Sequence, residues 1–303
     1  MPSSPHRAGL VSLLGRPNAG KSTLLNRLLG EKLSIVSSRP QTTRTIVQGV
    51  LTLPEAQIVF LDTPGIHKTG TLLNKRMMGA VREAAEGRDL LLYVADATRG
   101  PDLEESRALD LVKRTGTPVL LVLNQIDRLR DKLRLLPRME QFRALHDFAR
   151  YVPISALTGD GLDVLQTEIV GMLPEGPPLY PPDYLTDQPE RFRAAEIIRE
   201  KVIQETRQEV PHSIAVLVDN WEETPRLLRL AATVYVERAG QKGIVIGARG
   251  AMLKKIGAQA RVELESLFSR KLYLELAVRE RPGWREDQAF VNALDWRSGS
   301  GTE

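Results

Sequence analysis

The chain has 303 residues, with 42 Lys and Arg against 38 Asp and Glu and no cysteine. At about 100–200 residues per domain that length predicts two domains, and an apolar share of 42% is enough for sizeable cores, which excludes wholesale disorder. Without cysteine there is no disulfide, thiolate nucleophile or cysteine metal site, which fits a reducing cytosol; the net charge of +4 is too small to argue by itself for a nucleic-acid partner.

Met1-Pro-Ser-Ser-Pro-His-Arg7 has no apolar segment after its charge, so no signal peptide is expected. Leu10–Leu14 then reads as a strand and Lys21–Leu29 as a helix. Thr45–Leu53 and Ile58–Leu61 read as strands around a turn at Pro54-Glu55. Leu90–Ala95 and Pro118–Leu123 are apolar enough for strands buried on both faces, and far short of the about 20 residues that cross a bilayer. Tyr151–Ile154 is one more strand. Helical patterns lie between, at Leu73–Glu86, Leu103–Lys113 and Gln141–Ala149. This alternation predicts an α/β unit, a mostly parallel sheet with helices on both faces.

The texture changes at Leu173, where Leu173–Asp183 holds five prolines. Proline removes backbone donors and fixes φ, so no regular element continues. The expected division is residues 1–173, a proline-rich linker at 174–183 acting as a stiff spacer, and residues 184–303. The last part opens with a helix at Pro189–Gln208, its stripe formed by Ala195, Ile198, Val202 and Ile203. Strands at Ser213–Asp219 and Ala231–Arg238 follow, then a glycine-punctuated turn, a helix to Phe268 and a strand at Leu272–Arg279. This is a separate, smaller α+β unit.

Gly15-Arg-Pro-Asn-Ala-Gly-Lys-Ser22 fits G-x-x-x-x-G-K-[ST] and lies between an apolar strand and a helix. Such a loop turns backbone N–H groups around phosphates, and the helix N-terminus adds a positive dipole end. Gly15, Asn18, Ala19, Gly20, Lys21, Ser22 and Thr23 are the expected nucleotide contacts. Lys21 would reach the β- and γ-phosphates and the Ser22 hydroxyl would coordinate Mg²⁺. Asp62-Thr-Pro-Gly65 closes the strand at Ile58–Leu61. Asp62 supplies a carboxylate to Mg²⁺, directly or through its shell, and the Gly65 N–H can sense a γ-phosphate. Asn124-Gln-Ile-Asp127 closes the run Pro118–Leu123. Asp127 offers an acceptor pair to guanine N1–H and N2–H₂, a donor pair that adenine lacks. Asn124 would brace the loop and reach the base edge. In Ser155-Ala156-Leu157 a backbone N–H would meet guanine O6.

In this order the four motifs resemble the translation-factor class of GTPases, which implies GTP and GDP as ligands. Gln125 stands where that class has a lysine that covers the guanine and bonds toward the phosphate loop. Gln does part of both, so guanine selectivity is expected to hold and any cost to fall on affinity. Arg39-Pro-Gln-Thr-Thr-Arg-Thr45 sits where a switch threonine is needed. Gln-Thr-Thr-Arg resembles bacterial GTPases of the Era and tRNA-modification type, which singles out Thr43, reaching Mg²⁺ only when a γ-phosphate is present. Thr43, Gly65 and Lys21 are the expected catalytic set. Ile66 occupies the slot in which small GTPases carry a water-orienting glutamine. Isoleucine cannot hydrogen-bond water, so hydrolysis must use another group, an ordered water, an ion or a partner. His67 reads as a solvent-facing residue of a mobile loop with Lys68, Thr69 and Gly70.

In the second unit, Val245-Ile-Gly-Ala-Arg-Gly-Ala-Met-Leu-Lys-Lys-Ile256 carries a G-x-x-G loop, expected between an apolar strand and an amphipathic helix. It matches the KH module, and the helix-first order resembles its second, bacterial topology. The resemblance implies that Gly247, Ala248, Arg249 and Gly250 clamp a single-stranded RNA backbone, with Lys254 adding charge. From Arg238 to Arg281 ten Lys and Arg stand against four Glu, a local +6 of the kind an RNA groove needs.

A P-loop GTPase with Gln-Thr-Thr-Arg, a spacer and a KH unit resembles the Era family of bacterial GTPases, from about Leu10 to Trp296. The resemblance implies GTP hydrolysis to GDP and phosphate with Mg²⁺, binding to the 3′ end of 16S ribosomal RNA, and a role in assembling the 30S subunit. It further implies a cytoplasmic monomer, in part peripheral on the inner membrane, although no amphipathic anchor stands out. A second reading is a nucleotide-sensing assembly scaffold in which hydrolysis is incidental; Ile66 permits both.

Overall fold

The computed structural model describes residues 6–37, 39, 42–67, 70–206, 210 and 213–298. The chain divides into two compact units. One comprises Met1–Val36, Thr43–Thr69 and Lys75–Asp187; the other comprises Ser37–Thr42, Gly70–Asn74 and Gln188–Glu303.

The first unit is built on a six-stranded sheet of β1 (Arg7–Leu14), β2 (Val47–Thr52), β3 (Ala56–Asp62), β4 (Leu90–Asp96), β5 (Val119–Asn124) and β6 (Arg150–Pro153), in the order β2-β3-β1-β4-β5-β6. Only β2 runs antiparallel to its neighbour. Side chains alternate across a strand, and here both faces are apolar. Leu13, Leu92 and Val122 enter one core, while Leu14, Tyr93 and Leu121 enter the other. Each such burial is worth about 1.5–3 kcal/mol. Helices α1 (Lys21–Leu29), α2 (Leu72–Ala85), α3 (Leu103–Lys113), α4 (Leu135–Arg143) and α5 (Leu162–Met172) accompany the strands.

In this unit two helices depart from the sequence expectation. The helix expected at Gln141–Ala149 runs instead from Leu135 to Arg143. Its core stripe is Leu135, Met139 and Phe142, and Pro137 lies in its first turn, where the missing N–H costs nothing. Helix α5 was not anticipated; it follows Gly161 in left-handed conformation and buries Leu165 and Ile169.

The proline-rich stretch, expected as a spacer, is bound to the first unit, which runs to Asp187. The Gln57 side chain accepts from the N–H groups of Leu179 (2.7 Å) and Tyr180 (2.8 Å) and donates to Tyr180 O (2.9 Å). Val50 N–H donates to Leu185 O at 2.8 Å and the Thr186 hydroxyl to Gln48 O at 2.7 Å. The stretch thereby covers part of the edge strand β2, whose backbone groups would otherwise be an open template.

The second unit contains α6 (Glu190–Glu205), β7 (Ala215–Glu223), β8 (Leu227–Val236), α7 (Ala239–Ile246), α8 (Ala251–Phe268), β9 (Lys271–Glu280) and α9 (Gln288–Ala293). Its sheet is ordered β7-β8-β9, with β7 and β8 antiparallel and β8 and β9 parallel. Ile198, Val202, Val234, Val245, Ile256 and Leu264 meet in one core. The apolar strand expected before the G-x-x-G loop is a correction: Val245 and Ile246 form the last turn of α7. Gly240 and Gly243 lower helix propensity and disguise it, but a capping interaction between Arg238 and Gln241 starts the helix and complete burial of Val245 holds it down.

Candidate functional site

The phosphate loop leaves the end of β1 and enters α1, at the carboxyl edge of the sheet where ligands of open α/β folds bind. Gly15 (φ +141°), Asn18 (φ +63°) and Gly20 (φ +95°) all adopt positive φ. A Cβ on Gly15 would run into the Val94 carbonyl, and one on Gly20 into the Asn124 amide. Only glycine passes at these two places.

Lys21 is buried, its Nζ donating to Gly15 O and Arg16 O, each at 3.1 Å. Burial pushes this ammonium down to about 8, against the pull of the Asp62 and Glu105 carboxylates. Asp62 is fully buried at the end of β3, and burial pushes its carboxyl up, opposed by Lys21 and the hydroxyls that donate to it. Ser22 Oγ donates to Asp62 Oδ2 at 2.6 Å and lies 2.8 Å from Thr43 Oγ1, which is 3.4 Å from the same Oδ2. Ser34 Oγ, not anticipated from sequence, donates to that oxygen at 3.0 Å. Asp62 Oδ1 is buried without a hydrogen-bond partner. Two hydroxyls and one carboxylate with an unused oxygen form a hard donor set, which fits Mg²⁺ better than soft or borderline metals. Among the described residues no cluster of three or more His, Cys, Asp and Glu could hold a metal. Gly65 packs on Pro17, whose backbone a Cβ would strike, and Ile66 N–H donates to Gly15 O at 3.0 Å.

The predicted base-reading residues also come together. Asn124 is buried and braces two loops: Nδ2 donates to Ala19 O and Oδ1 accepts from Ala156 N–H, each at 2.9 Å. Asp127 is exposed, and its Oδ1 accepts from the buried Ser155 Oγ at 2.6 Å, which orients the carboxylate. Gln125, at φ +69°, donates to Asn18 O at 3.0 Å, so the bond toward the phosphate loop survives the loss of lysine. Leu157 is exposed. Thr23 lies in the first turn of α1, half-buried.

Two braces were not legible in the sequence. Arg16, a variable position of the P-loop pattern, is gripped by the start of α3: Nη1 meets Asp102 at 2.8 Å and Nη2 meets Glu104 at 2.6 Å. The buried Glu105 behind them accepts from Tyr93 Oη at 2.7 Å. The only sequence sign was three carboxylates within four residues. Arg128 bonds Gln125 Oε1 and so extends the brace of the base loop. Ile66 packs against the core containing Leu14 and Tyr93. His67 departs from its solvent-facing expectation: it is half-buried, with Nδ1 2.6 Å from Gly65 O. Lys68 and Thr69 lie outside the described residues, as do Pro40 and Gln41 of the switch segment.

In the second unit, Gly247 (φ +72°), Arg249 (φ +51°) and Gly250 (φ +80°) make a tight turn between α7 and α8. A Cβ on Gly247 would meet Met252 backbone and Cβ, whereas one on Gly250 would meet open space. Ala248, Arg249 and Lys254 are exposed, and Lys255 is engaged by Glu205 at 2.6 Å.

A profile described as "50S ribosome-binding GTPase" matches residues 10–125, and a KH-domain profile matches residues 209–285. GTPase Era of Geobacter metallireducens is 49% identical over 298 residues, 98% of this chain and all of that protein. The chain belongs to the Era family of GTPases. Two solved Era structures resemble it over 95% of its length and 98% of theirs. One is a variant from Aquifex aeolicus bound to GDP·AlF4⁻, with a TM-score of 0.92 at 42% identity. The other is Era with MgGDPNP and nucleotides 1506–1542 of 16S ribosomal RNA, with a TM-score of 0.93 at 41% identity. Among Era relatives, then, the two units of this chain occur together over nearly full length.

Proposed function

We propose that the chain is a GTP-hydrolysing switch that binds the 3′ end of 16S ribosomal RNA and acts in assembling the 30S subunit. The observation that carries this reading is the convergence of Ser22, Thr43 and Asp62 oxygens beside the buried Lys21. Ser22, Thr43 and Asp62 would hold Mg²⁺, which when bound supplies positive charge against the phosphates. Gly15, Asn18, Ala19, Gly20, Lys21, Ser22 and Thr23 surround the phosphates. Lys21, held by its two carbonyl contacts, has a third donor for the phosphate oxygens. Thr43 comes from the switch segment and Gly65 from the end of β3, so both report whether a γ-phosphate is there. Asp127, set by Ser155, reads guanine; Asn124, Gln125, Ala156 and Leu157 complete the base pocket. Ile66 is a packing residue with no polar part in hydrolysis.

Gly247, Ala248, Arg249, Gly250 and Lys254 are the proposed RNA clamp, so that the unit containing residues 188–303 serves RNA and the unit that runs to Asp187 serves the nucleotide. Support comes from the Era complex with a 16S fragment. The large-subunit wording of the first profile concerns its GTPase segment alone. Work as a cytoplasmic monomer, with part of the population peripheral on the inner membrane, belongs to the proposal through the family alone. No helix among the described residues is long and apolar enough to cross a membrane. The test is single-turnover GTP hydrolysis with and without a 3′-end oligonucleotide of 16S RNA. A large stimulation is expected; none at all leaves a scaffold in which hydrolysis is incidental.

A further inference from the structure

The segment after the base loop carries a run of cations that form no ion pair with any described residue. Between residues 128 and 138 stand Arg128, Arg130, Lys132, Arg134 and Arg138 against the single carboxylate of Asp131, a surplus as large as the +4 of the whole chain. Asp131 is already engaged, accepting the Leu133 N–H at 2.9 Å to start the 3₁₀ turn Lys132–Arg134 that leads into α4. Arg130, Lys132 and Arg134 are exposed, and among the described residues none of them forms an ion pair. In the same unit Arg16, Arg99, Lys113, Arg143 and Arg150 each have a carboxylate partner. Nor do the cations serve to hold the helix down, because Leu135, Met139 and Phe142 do that.

Arg128 is occupied by Gln125, and Arg138 is half-buried with Nη1 on Gln141 Oε1 at 2.9 Å. That leaves three adjacent, unpaired cations at alternate positions on a hydrogen-bonded turn. Arginine presents a planar fork, weakly hydrated and matched to phosphate oxygens. A row of uncompensated cations is the electrostatic footprint of a nucleic-acid backbone.

We propose that Arg130, Lys132 and Arg134 form a second RNA-binding surface, which neutralises backbone phosphates of 16S ribosomal RNA outside the segment held by the G-x-x-G loop. This rests on the reading of the chain as an RNA-bound GTPase. Phosphate contacts carry no sequence information, so the surface adds affinity and orientation and leaves base preference to the second unit. Leu133, 78% exposed, and Leu136, 69% exposed, stand beside these cations. They contribute nothing to phosphate binding but would matter to an apolar peptide or a bilayer, which makes them an internal control.

The test uses the full chain with Arg130→Gln, Lys132→Gln and Arg134→Gln together, and separately with Leu133→Ser and Leu136→Ser. GDP affinity, expected to be unchanged in both, confirms that the first unit is folded. Binding to whole 16S RNA and to a short 3′-end oligonucleotide is titrated at several salt concentrations. The triple variant should flatten the slope of log K against log salt for whole 16S RNA by roughly 2 to 3, at about 0.7–0.9 per lost phosphate contact. It should leave the short oligonucleotide unchanged, and the leucine pair should change neither. An unchanged slope on whole RNA overturns the surface, as does an equal loss on the short oligonucleotide. A leucine-pair loss as large as the triple variant's would assign the face to an apolar protein partner. Capture of the wild-type chain but not the triple variant by phosphatidylglycerol vesicles, with the RNA slope unchanged, would assign it to a membrane. Each of these outcomes overturns the inference. A wild-type chain that binds no 16S RNA would overturn the proposed function itself, a failure distinct from the others.

Discussion

Two glycine loops, one between a strand and a helix and the other between two helices, are built on opposite plans. The phosphate loop at Gly15–Ser22 is braced by side chains from several elements: Asn124 holds Ala19, Gln125 holds Asn18, the start of α3 holds Arg16, and Lys21 is folded back on Gly15 and Arg16. The loop at Gly247–Gly250 has no such scaffold of side chains, and its cations Arg249 and Lys254 extend into solvent. The difference follows the ligands. A nucleotide is small and must be enclosed by groups held in place, because a donor out of position loses its electrostatic effect. An RNA strand is long and passes over a surface, so a loop needs only to let phosphate approach its backbone and to offer charge. Substitutions should therefore hurt most in the braced loop and least at the open one.

The largest effect is expected from Lys21→Ala. Loss of charge-assisted bonds to phosphate should weaken GDP and GTP by roughly 2–3 kcal/mol, about 30- to 150-fold, while circular dichroism shows the fold intact. Ser22→Ala should act in the same direction and make the remaining affinity less dependent on Mg²⁺. Nucleotide titrations indistinguishable from wild type in either variant would remove the phosphate-site roles and with them the contrast between the loops. Next in size is Asp127→Asn, which turns two acceptors into one acceptor and one donor. Guanine affinity should fall by about 1–3 kcal/mol and xanthine nucleotides should gain. Unaltered GDP binding with no response to XDP would mean that Asp127 does not read the base.

How much of this was legible depended on where the constraint lies along the chain. The strands at Leu90–Asp96 and Val119–Asn124 are continuous apolar runs, and the motifs at their ends are local in sequence, so the sheet, the P-loop and the order of the base-reading loops could be read directly. The braces could not. Arg16 meets residues more than 80 positions away, and Asn124 reaches Ala19 across 105; such pairings exist only once the strands are side by side. The misplaced α4 had a local cause: Pro137 reads as a break unless the helix start is known to lie at Leu135. Helix α7 was hidden by two glycines that tertiary burial of Val245 overrides. The strapping of the proline-rich stretch was invisible because the buried Gln57 amide and the backbone groups of β2 that hold it are unremarkable in sequence.

Smaller effects are expected at the open loop, and its two glycines should part company. Gly247→Asp and Gly250→Asp both place a carboxylate where phosphate must approach, so RNA affinity should fall by roughly tenfold or more, about 1.4 kcal/mol, with GDP binding unchanged. The alanine variants separate geometry from charge. Gly247→Ala drives a Cβ into Met252 at 2.6 Å, while Gly250→Ala meets nothing within 4 Å and carries only the left-handed strain, about 1–2 kcal/mol. Thermal melts should therefore show Gly247→Ala as the less stable of the two. Equal RNA binding by wild type and the double Asp variant would leave the second unit without an assigned partner.

The smallest effect, and the most specific for an open loop, is expected from Arg249→Ala. Arg249 sits at φ +51° with its side chain exposed, so its removal opens no cavity, and alanine keeps the same Cβ at that left-handed position. Stability should not fall. What should change is the salt dependence of RNA binding: the slope of log K against log salt should flatten by about 0.7 if one single-strand phosphate is neutralised. Preference among RNA sequences should move less than affinity, because phosphate contacts position the strand and base contacts select it. Filter-binding titrations at several salt concentrations give the slope. A drop in affinity with the slope unchanged would mean that Arg249 acts through the shape of the turn and not through charge. The open loop would then be a braced one after all, held by a side chain as the phosphate loop is held by Asn124.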